Sequence, residues 1–172
     1  MKVLITGPSG AGKTHLCEYF NEHGLLSVDA DLVESLGEWY DHEGLRVQFP
    51  RGGADEFMDN HEFLWDREIL EQLLAKHEDI FLFGSSGNVF EFTAYFDKAV
   101  YLDLPLDVME QRLASKARRN PNGMGETEAQ RKIIVEYVRD HFKPEAEQHG
   151  LILINANRSE SKIMDDILQL VS

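Results

Sequence analysis

Cysteine, proline and positive charge are all scarce in this chain. A single cysteine, Cys17, excludes an internal disulfide and any zinc set built on paired cysteines. With disulfides out of play, a reducing, cytoplasmic setting is expected. Five prolines leave no room for a proline-rich linker, and no apolar run approaches the length of a membrane span. Basic residues number 17 against 31 acidic ones, a net charge of −14, so a nucleic-acid backbone would be repelled over most of the surface. His42, His61 and His77 are each followed by Glu, but no H-E-x-x-H helix follows and no G-x-S-x-G elbow occurs. These absences point away from secreted, membrane, zinc-hydrolase and serine-hydrolase classes. The opening Met1-Lys2 runs directly into an apolar strand, so no signal peptide is expected ahead of it.

What the chain does have begins at residue 7. Gly7-Pro8-Ser9-Gly10-Ala11-Gly12-Lys13-Thr14 fits G-x-x-x-x-G-K-[ST], directly after Val3-Leu4-Ile5 and before a helix-competent stretch. Glycines let the backbone close around a phosphate at a helix N-terminus that already favours anions. Lys13 brings positive charge to the β and γ phosphates, and the Thr14 hydroxyl can ligate Mg²⁺. His15 follows as a further nucleotide-side candidate. The loop predicts binding of a nucleotide triphosphate, ATP with Mg²⁺.

Apolar runs alternate with helical patterns, which predicts an α/β fold with a parallel sheet covered on both faces. Strands are expected at about 2–6, 25–28, 79–83, 98–103 and 151–155, within one domain of 172 residues. Helices are expected at about 12–23, 30–37, 61–77, 87–95, 106–119, 126–148 and 160–171. The apolar stripe Phe63, Leu64, Ile69, Leu70, Leu73 and Leu74 supports the third of them. Residues 41–60 read as a substrate loop, and the polar Gly/Pro turn near 119–126 as the tip of a mobile lid spanning about 115–128.

Phosphoryl transfer needs carboxylates near a strand end. Asp29-Ala30-Asp31 follows the second strand, where ligands bind in open α/β sheets. Asp29 is assigned to the magnesium shell, with an N-cap role as a compatible alternative, and Asp31 to the acceptor hydroxyl. Asp103 reads as a strand-end turn before Pro105. Strand three ends in Gly84-Ser85-Ser86-Gly87-Asn88, small residues that let an acceptor approach backbone amides. Arg112, Lys116, Arg118 and Arg119 gather in an otherwise acidic chain, and Arg131 lies across the turn. Arginines closing over the transferring group can contribute about 10³ to 10⁵ in rate, so Arg112, Arg118 and Arg119 join Lys13 and Asp31 as catalytic candidates.

Taken in this order, the motifs resemble the small P-loop kinases of the nucleoside monophosphate kinase-like superfamily over essentially the whole chain. The D-A-D and the glycine-containing Phe83 to Asn88 turn look more like the shikimate and gluconate kinase branch than like adenylate kinase. The resemblance implies a three-layer α/β/α P-loop NTPase fold, strand order 2-3-1-4-5, a small lid and Mg-ATP as donor. It places Asn157 and Arg158, after strand five, beside the adenine, and gives Arg51 or Arg67 as the acceptor arginine, with Gly84, Ser85 and Arg131 at the acceptor. The expected activity is transfer of phosphate from ATP to a hydroxyl of a small metabolite, the chain working as a monomer or homodimer. A nucleoside monophosphate kinase, with Arg46, Arg51 or Arg67 on the acceptor phosphate, is the alternative. A switch or assembly ATPase is the alternative from another class.

Overall fold

The computed structural model describes residues 1–50, 57–115 and 125–171. Five parallel strands form the main sheet: β1 (Lys2–Thr6), β2 (Ser27–Asp29), β6 (Ile80–Phe83), β7 (Lys98–Asp103) and β8 (Ile152–Asn155). They lie in the order β2-β6-β1-β7-β8, which is 2-3-1-4-5 counted along this sheet, as expected. β6 is buried at every position, the mark of a central parallel strand covered on both faces.

Register assigns the faces. Leu4 pairs with Leu82 and Ala99, and Thr6 with Tyr101, so these share one side while Phe81 and Phe83 point to the other. On the second side α1 (Lys13–Glu22) lays Phe20 edge-on to Phe81 and Phe83, with ring centres 5.1 and 5.2 Å away. Phe20 is fully buried, a contribution of about 1.5–3 kcal/mol relative to exposure. On the first side Tyr101 meets Phe142, which belongs to a long helical run made of α5 (Glu128–Tyr137), a π turn at Val138–Phe142 and α6 (Lys143–Gln148). Phe90, in a 3₁₀ segment at Val89–Tyr95, packs on the same Phe142. α4 (Leu106–Ala114) follows β7, and α7 (Glu160–Leu170) ends the fold beside α1.

The structure departs from expectation between β2 and α3 (Arg67–Ala75). The helix predicted at 30–37 is a single 3₁₀ turn, Ala30–Leu32, followed by a strand, β3 (Gly37–Asp41). The helix predicted at 61–77 is a strand, β5 (His61–Trp65), then α3. Together with β4 (Arg46–Val47), which lies inside the span 41–60 expected as a loop, these strands make a three-stranded antiparallel sheet, β4-β3-β5. α2 (Phe57–Asn60) leads into it.

Physical reasons for both departures are visible. Asp66 is the N-cap of α3, its Oδ1 accepting from Ile69 N at 3.0 Å, so the helix starts there and not at His61. Phe63 opposes Trp39 in the ladder, and their rings lie 5.5 Å apart in a cluster with Phe49 and Phe57. That cluster gives the small sheet its own apolar face, and the pairing energy overrides the helical spacing of the stripe. The lid's central residues and Arg51, Arg118 and Arg119 lie outside the described residues.

Candidate active site

β1 ends at Thr6 and the loop Gly7 to Thr14 turns into α1. Gly12 is its N-cap at φ +92°, a conformation that suits glycine. α1 has no side-chain cap and no acidic residue in its first turn, so the positive pole of the helix meets the crevice uncompensated by a carboxylate. Lys13 Nζ donates to the carbonyls of Gly7 and Pro8 at 2.7 and 3.0 Å, which folds the ammonium back over the loop. A Cβ at Gly7 would stand 2.9 Å from Leu102 Cβ, so the loop presses tightly on β7. This cradle fits a polyphosphate: converging amides, an ammonium and a helix N-terminus are the groups that bind one.

Arg112, in the last turn of α4, donates to Gly10 O at 3.1 Å and to Asn157 Oδ1 at 3.4 Å. One guanidinium thus links the phosphate loop to the turn after β8, bringing together two residues expected on the nucleotide side. Arg158 donates from Nε to Asn155 O at 3.2 Å and pairs with Asp166 of α7. His15 is exposed on α1, with Nδ1 3.7 Å from Glu18.

At the end of β2, Asp29 is buried and its Oδ1 accepts from Asp31 N at 3.0 Å. This is the capping role, made on a 3₁₀ turn. Asp31 is exposed on the 3₁₀ turn that follows β2. Loss of hydration pushes its carboxyl above the ordinary carboxylate range, Lys13 pulls it back, and Asp29 pushes it further up. A carboxyl of raised pKa within the field of the loop lysine is suited to accepting a proton. Asp103, in contrast, is tied to Lys143 at 2.9 Å and supports the start of α6. Thr14 and Asp29 are the residues that could hold a magnesium ion; among the described residues no three His, Cys, Asp or Glu side chains form a metal cluster by themselves.

The turn after β6, where the sequence predicts the acceptor, is tightly held. Gly84 N donates to Ile5 O at 3.1 Å, and a Cβ at Gly84 would fall 2.5 Å from Ala30 Cβ and 2.7 Å from Trp65 Cζ2. Only glycine fits between the two. Gly87 N donates to Phe63 O at 2.7 Å, and Asn88 pairs through its side-chain amide with both Trp65 N and Trp65 O at 2.9 and 3.0 Å. The turn therefore docks on the edge of β5 as one more strand would. Ser85 lies between these two contacts in the chain. Sequence reasoning passed over Asn88 as part of a small-residue turn.

Other predicted acceptor groups are held elsewhere. Arg67 donates to Tyr95 Oη at 2.8 Å, lies 3.9 Å from Glu91 and sits 5.4 Å from the centre of the Phe92 ring. Arg131 donates to the carbonyls of Gly125 and Glu126 at 3.3 and 2.9 Å, and so braces the end of the predicted lid. Gln130 is buried and accepts from Gly125 N and Glu126 N, both at 3.1 Å, while Thr127 Oγ1 accepts from Gln130 N. Thr127-Glu128-Ala129-Gln130 is a capping-box pattern that would have marked this boundary in the sequence. A depression of about 500 Å³ lies apart from the phosphate loop, on the small sheet, bounded by Glu38, Trp39, Arg46, Val47, Gln48 and Phe49.

No curated protein is significantly similar to this chain. Solved structures share its fold at low identity. A shikimate kinase from Acinetobacter baumannii in complex with shikimate superposes with a TM-score of 0.62 at 19% identity, covering 99% of this chain and 92% of its own. A shikimate kinase from Aquifex aeolicus gives 0.60 at 17%, covering 99% and 96%. The deoxyadenosine kinase of M. mycoides with bound dATP gives 0.56 at 12%, covering 99% of each. A family model described as an AAA domain matches residues 3–132, from β1 through the phosphate loop and into α5. As that model spans most of the chain, the protein belongs to this AAA domain family, and it has the fold of the P-loop kinases.

Proposed function

We propose that the protein is an ATP-dependent phosphotransferase that moves the γ-phosphate of Mg-ATP to a hydroxyl of a small metabolite. The observation that supports this reading is the pairing of the Gly7–Thr14 loop, with Lys13 folded onto it, with an acidic turn after β2 in which Asp29 caps Asp31 and Asp31 feels the charge of Lys13. A hydroxyl must give up a proton as it attacks, whereas a monophosphate acceptor is already anionic and needs no base.

The roles follow from position. Lys13 and the backbone N–H groups of the loop, which Pro8 lacks, would hold the β and γ phosphates, and Thr14 and Asp29 would hold the magnesium ion. Mg-ATP supplies the activated phosphoryl group. Arg112 and Asn157 fix the nucleotide side of the loop, and Arg158 braces the same turn. Asp31, next in the chain to the Ala30 that packs on Gly84, orients the acceptor hydroxyl and takes its proton. Arg118 and Arg119 are carried over from the sequence as the arginines that would neutralise charge on the transferring group, where it lowers the barrier most.

The test is incubation of the purified chain with γ-labelled ATP and a metabolite panel. The reading expects label in a phosphomonoester. Label in a diphosphate would assign a nucleoside monophosphate kinase. Label only in inorganic phosphate, released faster when a protein partner is added, would assign an assembly ATPase.

A further inference from the structure

We propose that Trp65 is a positioning residue for Asp31: its indole, seated against Ala30 over Gly84, fixes where the Asp29-Ala30-Asp31 turn stands at the end of the main sheet. The role rests on the kinase reading above, in which Asp31 takes the acceptor's proton, and adds the residue that sets its place.

The contact is direct. A Cβ on Gly84 would fall 2.5 Å from Ala30 Cβ and 2.7 Å from Trp65 Cζ2, so the Ala30 methyl and the indole edge close on one point, over a residue with no side chain to part them. Ala30 is the middle residue of the acidic turn. It is 1% exposed and Trp65 is 3% exposed, and close-packed groups of this kind do not shift without displacing their neighbours.

The backbone ties the same parts together. Gly37 faces Trp65 across the β3–β5 ladder, and the chain reaches Gly37 from Asp31 through Leu32 to Leu36. Next to Trp65, Asp66 N donates to Leu36 O at 2.7 Å. On its other edge Trp65 exchanges two hydrogen bonds with Asn88, which ends the turn that begins at Gly84. The segments that leave the main sheet at β2 and at β6 therefore both return to Trp65.

Shape, and not its polar atom, holds the indole there. Its Nε1 is buried without a hydrogen-bond partner among the described residues, although a buried indole N–H normally finds one. Phe92 stacks on the ring, with centres 6.4 Å apart and planes 22° from parallel. An unpaired buried donor lowers stability. What the tryptophan supplies is a rigid outer ring, absent from phenylalanine, that carries Cζ2 to Gly84 and Ala30.

The experiment follows label leaving γ-labelled Mg-ATP for any acceptor, water included, using the full chain with shikimate, gluconate, glucose or adenosine. Trp65→Phe should lower kcat about tenfold and leave KM for ATP within about twofold, since a displaced reacting group slows turnover without weakening nucleotide binding. Ala30→Gly, which removes the other half of the contact and keeps Trp65, should lower kcat by a similar factor. The double variant should lie within about twofold of the worse single one, because the two act through one contact. In an Asp31→Asn background, Trp65→Phe should leave the residual kcat unchanged.

An unchanged kcat in folded Trp65→Phe or Ala30→Gly, losses that multiply in the double variant, or an equal loss in the Asp31→Asn background would each overturn the positioning role and leave the kinase intact. If Trp65→Phe does not fold, Ala30→Gly with and without Asp31→Asn decides the matter. Full turnover in Asp31→Asn, or label that leaves ATP for no acceptor in the wild type, overturns the reading beneath and the positioning role with it.

Discussion

The side-chain amide of Asn88 pairs with the backbone of Trp65 in both directions, accepting from its N–H at 2.9 Å and donating to its carbonyl at 3.0 Å. Ser86 Oγ donates to the same Asn88 Oδ1 at 2.9 Å. One residue thereby joins the turn after β6 to the edge of β5, and couples the main sheet to the small one. Asn88→Ala should cost about 1–3 kcal/mol, the usual penalty for stripping partners from buried backbone groups. Urea unfolding measures it. Asn88→Asp, which keeps the acceptor and loses the donor, should fall between the two. A loss indistinguishable from zero in both variants would mean that the docking lies elsewhere.

Asp31 should show opposite effects on stability and on turnover. Its folded pKa lies above the ordinary 3.8, so the folded state binds more protons than the unfolded one over that interval. Stability then falls as pH rises from about 3.8 through the raised value, and stays reduced above it. Asp31→Asn removes this titration. The variant should melt higher than the wild type at neutral pH, with the gap closing on acidification, while its turnover drops far more than its affinity for ATP. Thermal melts across pH together with steady-state kinetics check both halves.

Arg112 connects Gly10 to Asn157, so its loss should disturb the nucleotide side and leave the acceptor side alone. Arg112→Ala is expected to raise KM for ATP about tenfold, the loss of one or two charge-assisted hydrogen bonds. Arg112→Lys should recover only part of this, since an ammonium lacks the planar fork that spans both partners. Saturation curves at fixed acceptor decide it.

Burial holds the Cys17 thiol at about 12, with Asp29 and Glu18 adding to the shift. The thiolate is the reactive form. A thiol reagent at about pH 8 should leave the native protein unmodified and label it once guanidinium is added. Rapid labelling of the native state would show that α1 opens locally.

Most of the main sheet was legible because its strands are continuous apolar runs, such as Ile80-Phe81-Leu82-Phe83, bounded by turns. The phosphate loop was legible because its chemistry fixes residue type and spacing together. The small sheet was not. In His61-Glu62-Phe63-Leu64-Trp65 two apolar residues also fall on the helical stripe of α3, and five residues are too few for a period of two to outweigh it. Its partner Gly37-Glu38-Trp39-Tyr40-Asp41 is distant in sequence, so the pairing carries no local signal. Asp66, three residues before Ile69, was the local clue to where the helix begins. At the candidate site, the place of Asp29 and Asp31 at the end of β2 was readable from the strand end, whereas the link that Arg112 makes between Gly10 and Asn157 was not. The pairing of Arg67 with Tyr95 was not readable either, because it depends on how α3 meets the 3₁₀ segment before β7.

The central claim, a phosphate cradle with Lys13 as its cation, is tested most directly by titration calorimetry with Mg-ATP. The wild type should bind at a single site, and Lys13→Ala, with an unchanged circular dichroism spectrum, should bind about tenfold to a hundredfold more weakly. An absence of heat with every purine and pyrimidine triphosphate, or equal binding by the folded Lys13→Ala variant, would contradict it.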